Sequence, residues 1–417
     1  MQKKIASIIA EYNPLHRGHI YQLQEVRRLS GADQILVLMS GDFVQRGEPA
    51  VLDKYVRTRM ALEAGADLVL ELPLAAATGS AGEFAAGAVA ILDALGAVDE
   101  LWFGSEAGEV EPLREIAEIL AAEPDPFREM LRRKLAEGAS FPAAQEAALF
   151  AALAERGERA ERTVSGERED REEEQAKEAL HTLLEGSNNM LAIAYMKELI
   201  LQNSRIVPKT IRRKGEDYNS LSTESGFASA SGIRHALFDK GAPNPLESLP
   251  EYVSKYLKDP RALIRADDFS DMLFARLVYE EHPEDYASVT EDLANRLQHT
   301  WRECRSFTEL ADALKARNMT RSRINRALLH LLLEIREEDV RRCEHPEVVR
   351  ILGMGNAAAA FSRIRAGSVL RLSASVSDLP EEVYGKDRRA SDLYAWVLSR
   401  KTGGKMRMEY QQMPVKI

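Results

Sequence analysis

A run of mostly β-branched and small apolar residues from Ile5 to Ile9 gives way, across Asn13-Pro14, to apolar positions at helical spacing from Gly18 to Leu29. Such a run suits a buried strand, and the Asn-Pro dipeptide marks a turn, so the chain opens as strand, turn and helix. This beginning constrains the whole, because a strand buried on both faces needs neighbouring strands and a covering of helices.

The turn also carries the chemistry. His16 and His19 are three apart and share one face of the helix's first turn. A helix N-terminus offers unpaired backbone N–H groups and the positive end of the helix dipole. Gly18, between the histidines, leaves room for a phosphate or ribose against the backbone. Two imidazole donors above such a terminus suit an α-phosphate in an in-line displacement, where charge grows on the phosphoryl oxygens. By itself, His-x-x-His also fits a metal pair, or two rings satisfied at the edge of a core, and the bland reading is favoured in an arbitrary sequence. The preceding strand, the Asn-Pro turn and the glycine favour the nucleotide site.

Alternation of strand and helix continues. Gln34 to Met39 is a second apolar run, followed by the polar, glycine-containing stretch Ser40 to Ala50. Ligands bind at the carboxyl ends of strands in parallel sheets, which marks that stretch as a site loop. Asp53 caps a helix through about Ala64, Asp67 to Leu72 is a third strand, Ser80 to Gly96 a helix of small residues, and Val98 to Phe103 a fourth strand. The pattern implies an α/β fold with a doubly wound parallel sheet and right-handed crossovers.

Glu111 to Arg156 is helical in period, and Glu155 to Lys177 is dominated by Glu and Arg, a solvated helix or flexible excursion without chemistry of its own. Beyond Asn244 the alternation stops. Helical periods over Pro250–Tyr256, Phe269–Tyr279, Thr290–His299, Phe307–Lys315 and Ser322–Glu337 predict a mainly helical second domain. The expected division is therefore a nucleotide-binding catalytic domain over residues 1–245 and a helical domain over 246–417.

Bulk composition narrows the function. Cys304 and Cys343 have no metal-ligand or disulfide spacing, and no apolar run is long enough to span a bilayer. No signal pattern opens the chain, so a cytoplasmic protein without a membrane partner is expected. A net charge of −10 argues against diffuse affinity for nucleic acid, which leaves a local basic face as the only route to RNA. Arg317, Arg321, Arg323 and Arg326 lie within ten positions and form a candidate contact for RNA phosphates, although a charged helix face is the usual meaning of such a cluster. Gly353 to Asn356 and Arg363 to Arg365 extend this expectation, and the basic tail from Lys401, with Tyr410, is expected to close back onto the body.

His16-Arg17-Gly18-His19 resembles the HxGH signature of the nucleotidylyltransferase superfamily. The longer string Glu11-Tyr12-Asn13-Pro14-Leu15-His16-Arg17-Gly18-His19 resembles the tRNA(Met) cytidine acetate ligase family, and Leu101-Trp102-Phe103-Gly104-Ser105-Glu106 fits it too. Ser229-Ala230-Ser231-Gly232-Ile233-Arg234 reads alone either as a hydroxyl-capped helix or as an anion cradle. It resembles the second superfamily motif, which clamps the leaving pyrophosphate. Ser187 or Asn188 reads alone as a helix cap, and Ile206 to Lys214 as a strand with basic residues at its exit.

The resemblance implies an enzyme that uses ATP, with Mg²⁺, to convert acetate to acetyl-adenylate. It then acetylates N4 of the wobble cytidine of elongator tRNA(Met). It assigns His16 and His19 to catalysis. It assigns ATP contacts to Ile9, Ala10, Glu11, Tyr12, Asn13, Pro14, Leu15, His16, Arg17, Gly18, His19, Ile20, Tyr21 and Gln22, and to Gly104, Asn188, Arg213, Ser231 and Arg234, with no protein metal ligand. One position departs from the family's pattern. Asp42 stands where asparagine is usual and adds negative charge near an anionic substrate. Two rivals use parts of the same pattern, namely an adenylyltransferase that makes a dinucleotide cofactor, and a nucleotide-responsive RNA-binding protein without turnover. The first leaves the helical domain and the arginine cluster without a task.

Overall fold

The computed structural model describes residues 3–160, 169–213, 229–239, 244–316, 319–355 and 358–417. They fall into two compact units, one made of Met1–Trp102 with Lys214–Ile417 and the other of Phe103–Arg213. Residue 245, the expected boundary, lies inside the first unit.

In the first unit, β1 (Ile5–Ala10), α1 (Arg17–Ser30), β2 (Gln34–Ser40), α2 (Lys54–Glu63) and β5 (Leu68–Leu72) follow the expected alternation. After β2 the site loop is not plain coil, because β3 (Phe43–Val44) and β4 (Glu48–Pro49) pair antiparallel within it. The short α3 (Leu74–Ala77) and the small-residue α4 (Ala81–Ala94) lead to β6 (Glu100–Ser105), which crosses from one unit to the other. β1 pairs in parallel with β2 on one side and with β6 on the other, and β2 pairs in parallel with β5. Every residue of β2 and β5 is buried, as a strand covered on both faces requires.

The second unit carries α5 (Glu111–Ala122), α6 (Asp125–Ala136), α7 (Phe141–Ala160), α8 (Glu169–Glu185), α9 (Ser187–Leu201) and β7 (Val207–Arg212). Pro126 and Pro142 both fall in the first turn of a helix, where a missing N–H is no loss. The part of the charged segment Glu155–Lys177 that is described continues α7 and α8; residues 161–168 lie outside the described residues. β7 lies beside the end of β6, where Arg213 N donates to Ser105 O at 3.0 Å and Thr210 Oγ1 to Phe103 O at 3.2 Å.

The chain returns to the first unit with α10 (Ala230–Phe238), α11 (Glu251–Leu257), α12 (Ser270–Tyr279), α13 (Glu291–Thr300), α14 (Phe307–Ala313), α15 (Arg321–Leu333) and α16 (Glu337–Arg342). Leu273, Leu293, Leu297, Phe307, Leu310 and Leu328 are among the residues of one buried cluster between these helices. This region is mainly helical, as expected, yet it also contributes to the sheet. β8 (Val348–Met354) runs antiparallel to β5, and α17 (Ala358–Gly367), β9 (Arg371–Ser373), α18 (Glu381–Thr402) and β10 (Val415–Lys416) follow, with β9 and β10 both parallel to β8. The strand order of this unit is β10-β8-β5-β2-β1-β6.

The reading that strands end near Asn244 is therefore corrected. Arg350 conceals β8 by interrupting an apolar run. It is buried, and its guanidinium donates to Ala374 O and, at 3.5 Å, to Tyr55 OH and Gln412 O, while Nε makes no hydrogen bond and lies 3.8 Å from the Glu409 carboxylate. The tail closes onto the body as expected, through β10 and through Glu409, which meets the Lys54 ammonium at 2.9 Å.

Candidate functional site

The first motif is built by β1, the turn after it and α1. Ile9 and Ala10 end β1 half-buried, Tyr12, Pro14 and Leu15 are buried, and Ile20, Tyr21 and Gln22 are half-buried on the first turns of α1. Tyr12 takes φ 49°, a left-handed conformation that is uncommon for a residue of its size. His16 is the N-cap of α1, its Nδ1 accepting from Gly18 N at 3.1 Å, and His19 Nδ1 accepts from His16 N at 3.3 Å. Each ring therefore uses its δ nitrogen as an acceptor, which places the proton of the neutral ring on Nε2. The rings stack with centroids 3.7 Å apart, and Tyr12 meets His19 edge-on at 4.9 Å. The result is a rigid pair of imidazoles of defined tautomer at a helix N-terminus.

Gly18 has a different task from the one its sequence position implied. A Cβ there would lie 2.9 Å from His16 Cε1, so the space beside this glycine belongs to the His16 ring. Arg17, between them, is exposed.

The second motif contacts the first directly. Ser229 caps α10 through Gly232 N, while Ser231 Oγ accepts from Arg234 Nη2 at 3.4 Å. Arg234 Nη1 donates to Asn13 O at 2.7 Å, which joins the two motifs through the turn after β1. Asn13 Oδ1 in turn accepts from Val51 N at 2.8 Å, and Glu11 Oε1 from Gln45 N at 2.9 Å, so the site loop after β2 is bound to the same turn. Burial pushes the Glu11 carboxyl up, while the Gln45 N–H and the Arg234 guanidinium oppose the rise.

Beneath both strand exits lies Arg57, 0 % exposed. Its guanidinium donates to Leu52 O at 2.9 Å, Glu11 O at 2.7 Å, Ser40 O at 3.0 Å and Gly41 O. One side chain thus fixes the carbonyls at the exits of β1 and β2. Lys54, also 0 % exposed, meets Glu71 at 2.6 Å and Glu409 at 2.9 Å, while its backbone N–H is accepted by Asp42 Oδ1 at 2.8 Å. Burial favours the neutral Lys54 amine, but Glu409 and Glu71 outweigh it and hold the ammonium charged. Burial pushes the Asp42 carboxyl up to about 6 against the pull of Lys54 and Arg57. Sequence reasoning passed over both cations, since a Lys and an Arg on a helix ordinarily face water.

In the second unit, Gly104, Asn188 and Arg213 do come together. A Cβ at Gly104 would lie 3.2 Å from Arg213 Cγ, and Arg213 Nη1 donates to Asn188 Oδ1 at 3.0 Å. The helix α9 is not capped by Ser187 or Asn188. Its N-cap is Gly186, and the Glu106 carboxylate accepts from Asn188 N at 3.2 Å, Asn188 Nδ2 at 2.6 Å and Asn189 N at 2.8 Å. Glu106 was within the Gly104-Ser105-Glu106 string, and a carboxylate at a strand exit two residues after a glycine was the available signal.

The arginine cluster is less open than its composition implied. Arg317 lies outside the described residues. Arg321 pairs with Asp312 and donates to Thr308 O at 3.0 Å and Asn325 Oδ1 at 3.1 Å, Arg326 is half-buried, and Arg323 is exposed. Arg363 pairs with Asp99 at 2.7 Å rather than extending a free surface. Among the described residues no three His, Cys, Asp or Glu converge as a metal site, and no helix is long and apolar enough to cross a membrane.

A family model described as HIGH Nucleotidyl Transferase matches residues 3–409. A tRNA(Met) cytidine acetate ligase of Thermoanaerobacter sp. is 37 % identical over 404 residues, 94 % of each chain. Its counterpart from Caldicellulosiruptor saccharolyticus is 34 % identical, with 99 % of both chains covered. This chain belongs to the tRNA(Met) cytidine acetate ligase family. Among solved structures, Thermotoga maritima TmcAL superposes with TM-score 0.87 at 30 % identity over 99 % of both chains, and its form bound with alpha-thio ATP with TM-score 0.86. In this acetate ligase family member, His16 and His19 stack at the start of α1, and Ser231 and Arg234 are hydrogen-bonded at the start of α10.

Proposed function

We propose that the protein is an ATP-dependent ligase that activates acetate as acetyl-adenylate and acetylates N4 of the wobble cytidine of elongator tRNA(Met) in the cytoplasm. The observation that carries the reading is the stacked His16–His19 pair at the N-terminus of α1, joined to Arg234 through Asn13. It accompanies relatives of that name aligned over nearly the whole chain.

The cytosine amine is delocalised into its ring and is a poor nucleophile, so the acetyl group must be activated first. An acetate oxygen attacks the α-phosphorus, the bond to the bridging oxygen breaks, and pyrophosphate leaves. The Nε2–H donors of His16 and His19 stabilise the charge on the α-phosphoryl oxygens, and Ser231 with Arg234 holds the departing phosphates. Arg57 offsets the carbonyl dipoles at the strand exits. The amine then attacks the acetyl carbonyl, AMP leaves and N4 gives up a proton. Glu11, Tyr12 and Asn13 shape the nucleotide side of this site; the family resemblance also gives nucleotide contacts to Gly104, Asn188 and Arg213, which lie together within the second unit.

Mg²⁺ is the expected companion of ATP, where it neutralises phosphate charge. Such an ion would be held mainly by the phosphates and water. Pyrophosphate release from ATP with acetate, followed by mass analysis of nucleosides from elongator tRNA(Met), tests the reading. N4-acetylcytidine that requires acetate and ATP without acetyl-coenzyme A is the expected result. Pyrophosphate release that requires a nucleotide cosubstrate instead would identify a cofactor adenylyltransferase, and tRNA binding without turnover a binding protein.

A further inference from the structure

We infer that the RNA-binding surface of this protein is centred on the end of α18 and the segment after it, where Arg400, Lys405 and Arg407 receive backbone phosphates and Trp396 and Tyr410 receive unstacked bases. The inference rests on the proposed tRNA substrate and assigns it a place.

Four observations support it. From Arg400 to Ile417 the sequence holds five cations, Arg400, Lys401, Lys405, Arg407 and Lys416, and one carboxylate, Glu409, in a chain of net charge −10. That carboxylate is buried and paired with Lys54, which neutralises its charge. Lys401 is held by Asp268 at 2.6 Å, whereas Arg400, Lys405 and Arg407 are exposed and have no ion pair or side-chain hydrogen bond among the described residues. Aromatic rings accompany the charge, with Trp396 44 % and Tyr410 58 % exposed; Trp396 and Arg400 are four apart on α18 and share a face.

The third and fourth observations concern shape and connection. Lys405 and Arg407 line a cavity of about 310 Å³ whose wall includes Tyr55 and Thr402 and the carboxylates of Asp53 and Glu409. A single nucleotide is of that order of size, and hydroxyls with exposed rings beside cations are the equipment of single-strand RNA sites. The same cavity is lined by Asp42, from the loop at the exit of β2. The surface therefore reaches the site loop through side chains of one unit. The Arg321–Arg326 helix offers less, because Arg321 is held by Asp312 and Arg326 is half-buried.

Direct binding of transcribed elongator tRNA(Met) at several salt concentrations tests this. Lys405→Glu/Arg407→Glu is expected to weaken binding at least tenfold and to make the dependence of log affinity on log salt shallower by about 1.4, the value for two single-strand phosphate contacts. Tyr410→Ala is expected to weaken binding several-fold with the salt slope retained, because stacking releases no counterions. Arg132→Glu/Arg133→Glu on α6 makes the same change in net charge at exposed positions and serves as the control, with thermal denaturation confirming that each variant folds. A Lys405→Glu/Arg407→Glu protein with wild-type affinity and slope, or a control that loses as much, would overturn the inference. The readout is binding, so a wild-type protein that binds tRNA without acetylating it would refute the ligase reading and leave this surface standing on its own result.

Discussion

Asp42→Asn separates hydrogen bonding from charge at a buried position. Asp42 Oδ1 accepts the Lys54 N–H at 2.8 Å, and an asparagine oxygen can accept the same bond. What changes is the carboxylate, which burial pushes from an ordinary 3.8 up to about 6 in the fold. A carboxyl with a raised folded value favours folding when protonated. Stability from this group is therefore fully present below about 3.8, falls as pH rises towards about 6, and is flat above. The rise corresponds to about 3 kcal/mol, at 1.36 kcal/mol for each tenfold change in proton affinity. Asp42→Asn is accordingly expected to be more stable than the parent, by up to about 3 kcal/mol at pH 8 and about half that at pH 5. Urea denaturation of both proteins at the two pH values measures the difference directly, since all other titrating groups are common to the pair. An equal gain at both pH values, or a variant less stable at pH 8, would refute the reasoning.

His16→Asn keeps a side-chain acceptor for Gly18 N and removes the imidazole; it should unfold near the parent's temperature yet lose about 100-fold or more of acetate-dependent pyrophosphate release. Equal activity would remove His16 from the mechanism. Lys54→Met leaves Glu71 and Glu409 buried without their ammonium, and a loss of about 3–5 kcal/mol is expected in chemical denaturation. Recovery of stability on adding Glu409→Gln would identify the stranded carboxylate as the cause. Gly47→Ala combines a left-handed φ of 73° with a Cβ 2.2 Å from the Arg326 backbone nitrogen, so it should lose more than about 2 kcal/mol and separate the β3–β4 hairpin from α15. Unchanged unfolding would show that the hairpin is free to move.

The site motifs were legible because their chemistry is local. The two histidines and the hydroxyl-to-arginine pair each lie within a few residues, and the structure joins His16 to His19 and Ser231 to Arg234 at those spacings, whereas the space beside Gly18, read as room for a ligand, is taken by the His16 ring. The alternation from Ile5 to Phe103 was legible for a similar reason, since strands covered on both faces must be nearly free of polar residues. Glu106 under α9 was not, because a carboxylate from 82 residues earlier replaced the local cap. Arg57, Lys54 and Arg350 were not either, because their partners come from elsewhere in the chain: Arg57 reaches Glu11, Ser40 and Gly41, Lys54 reaches Glu71 and Glu409, and Arg350 reaches Glu409 and Ala374.

By itself the sequence determined the fold class and the two motif strings, since periodicity and short spacings are written in neighbouring residues. Only the tertiary structure decided that β8 completes the sheet, that the tail's Glu409 neutralises Lys54, and which arginines remain open to a partner. Whether a cation is held inside or offered to solvent depends on which carboxylates and carbonyls the fold brings to it, and those arrive from distant positions.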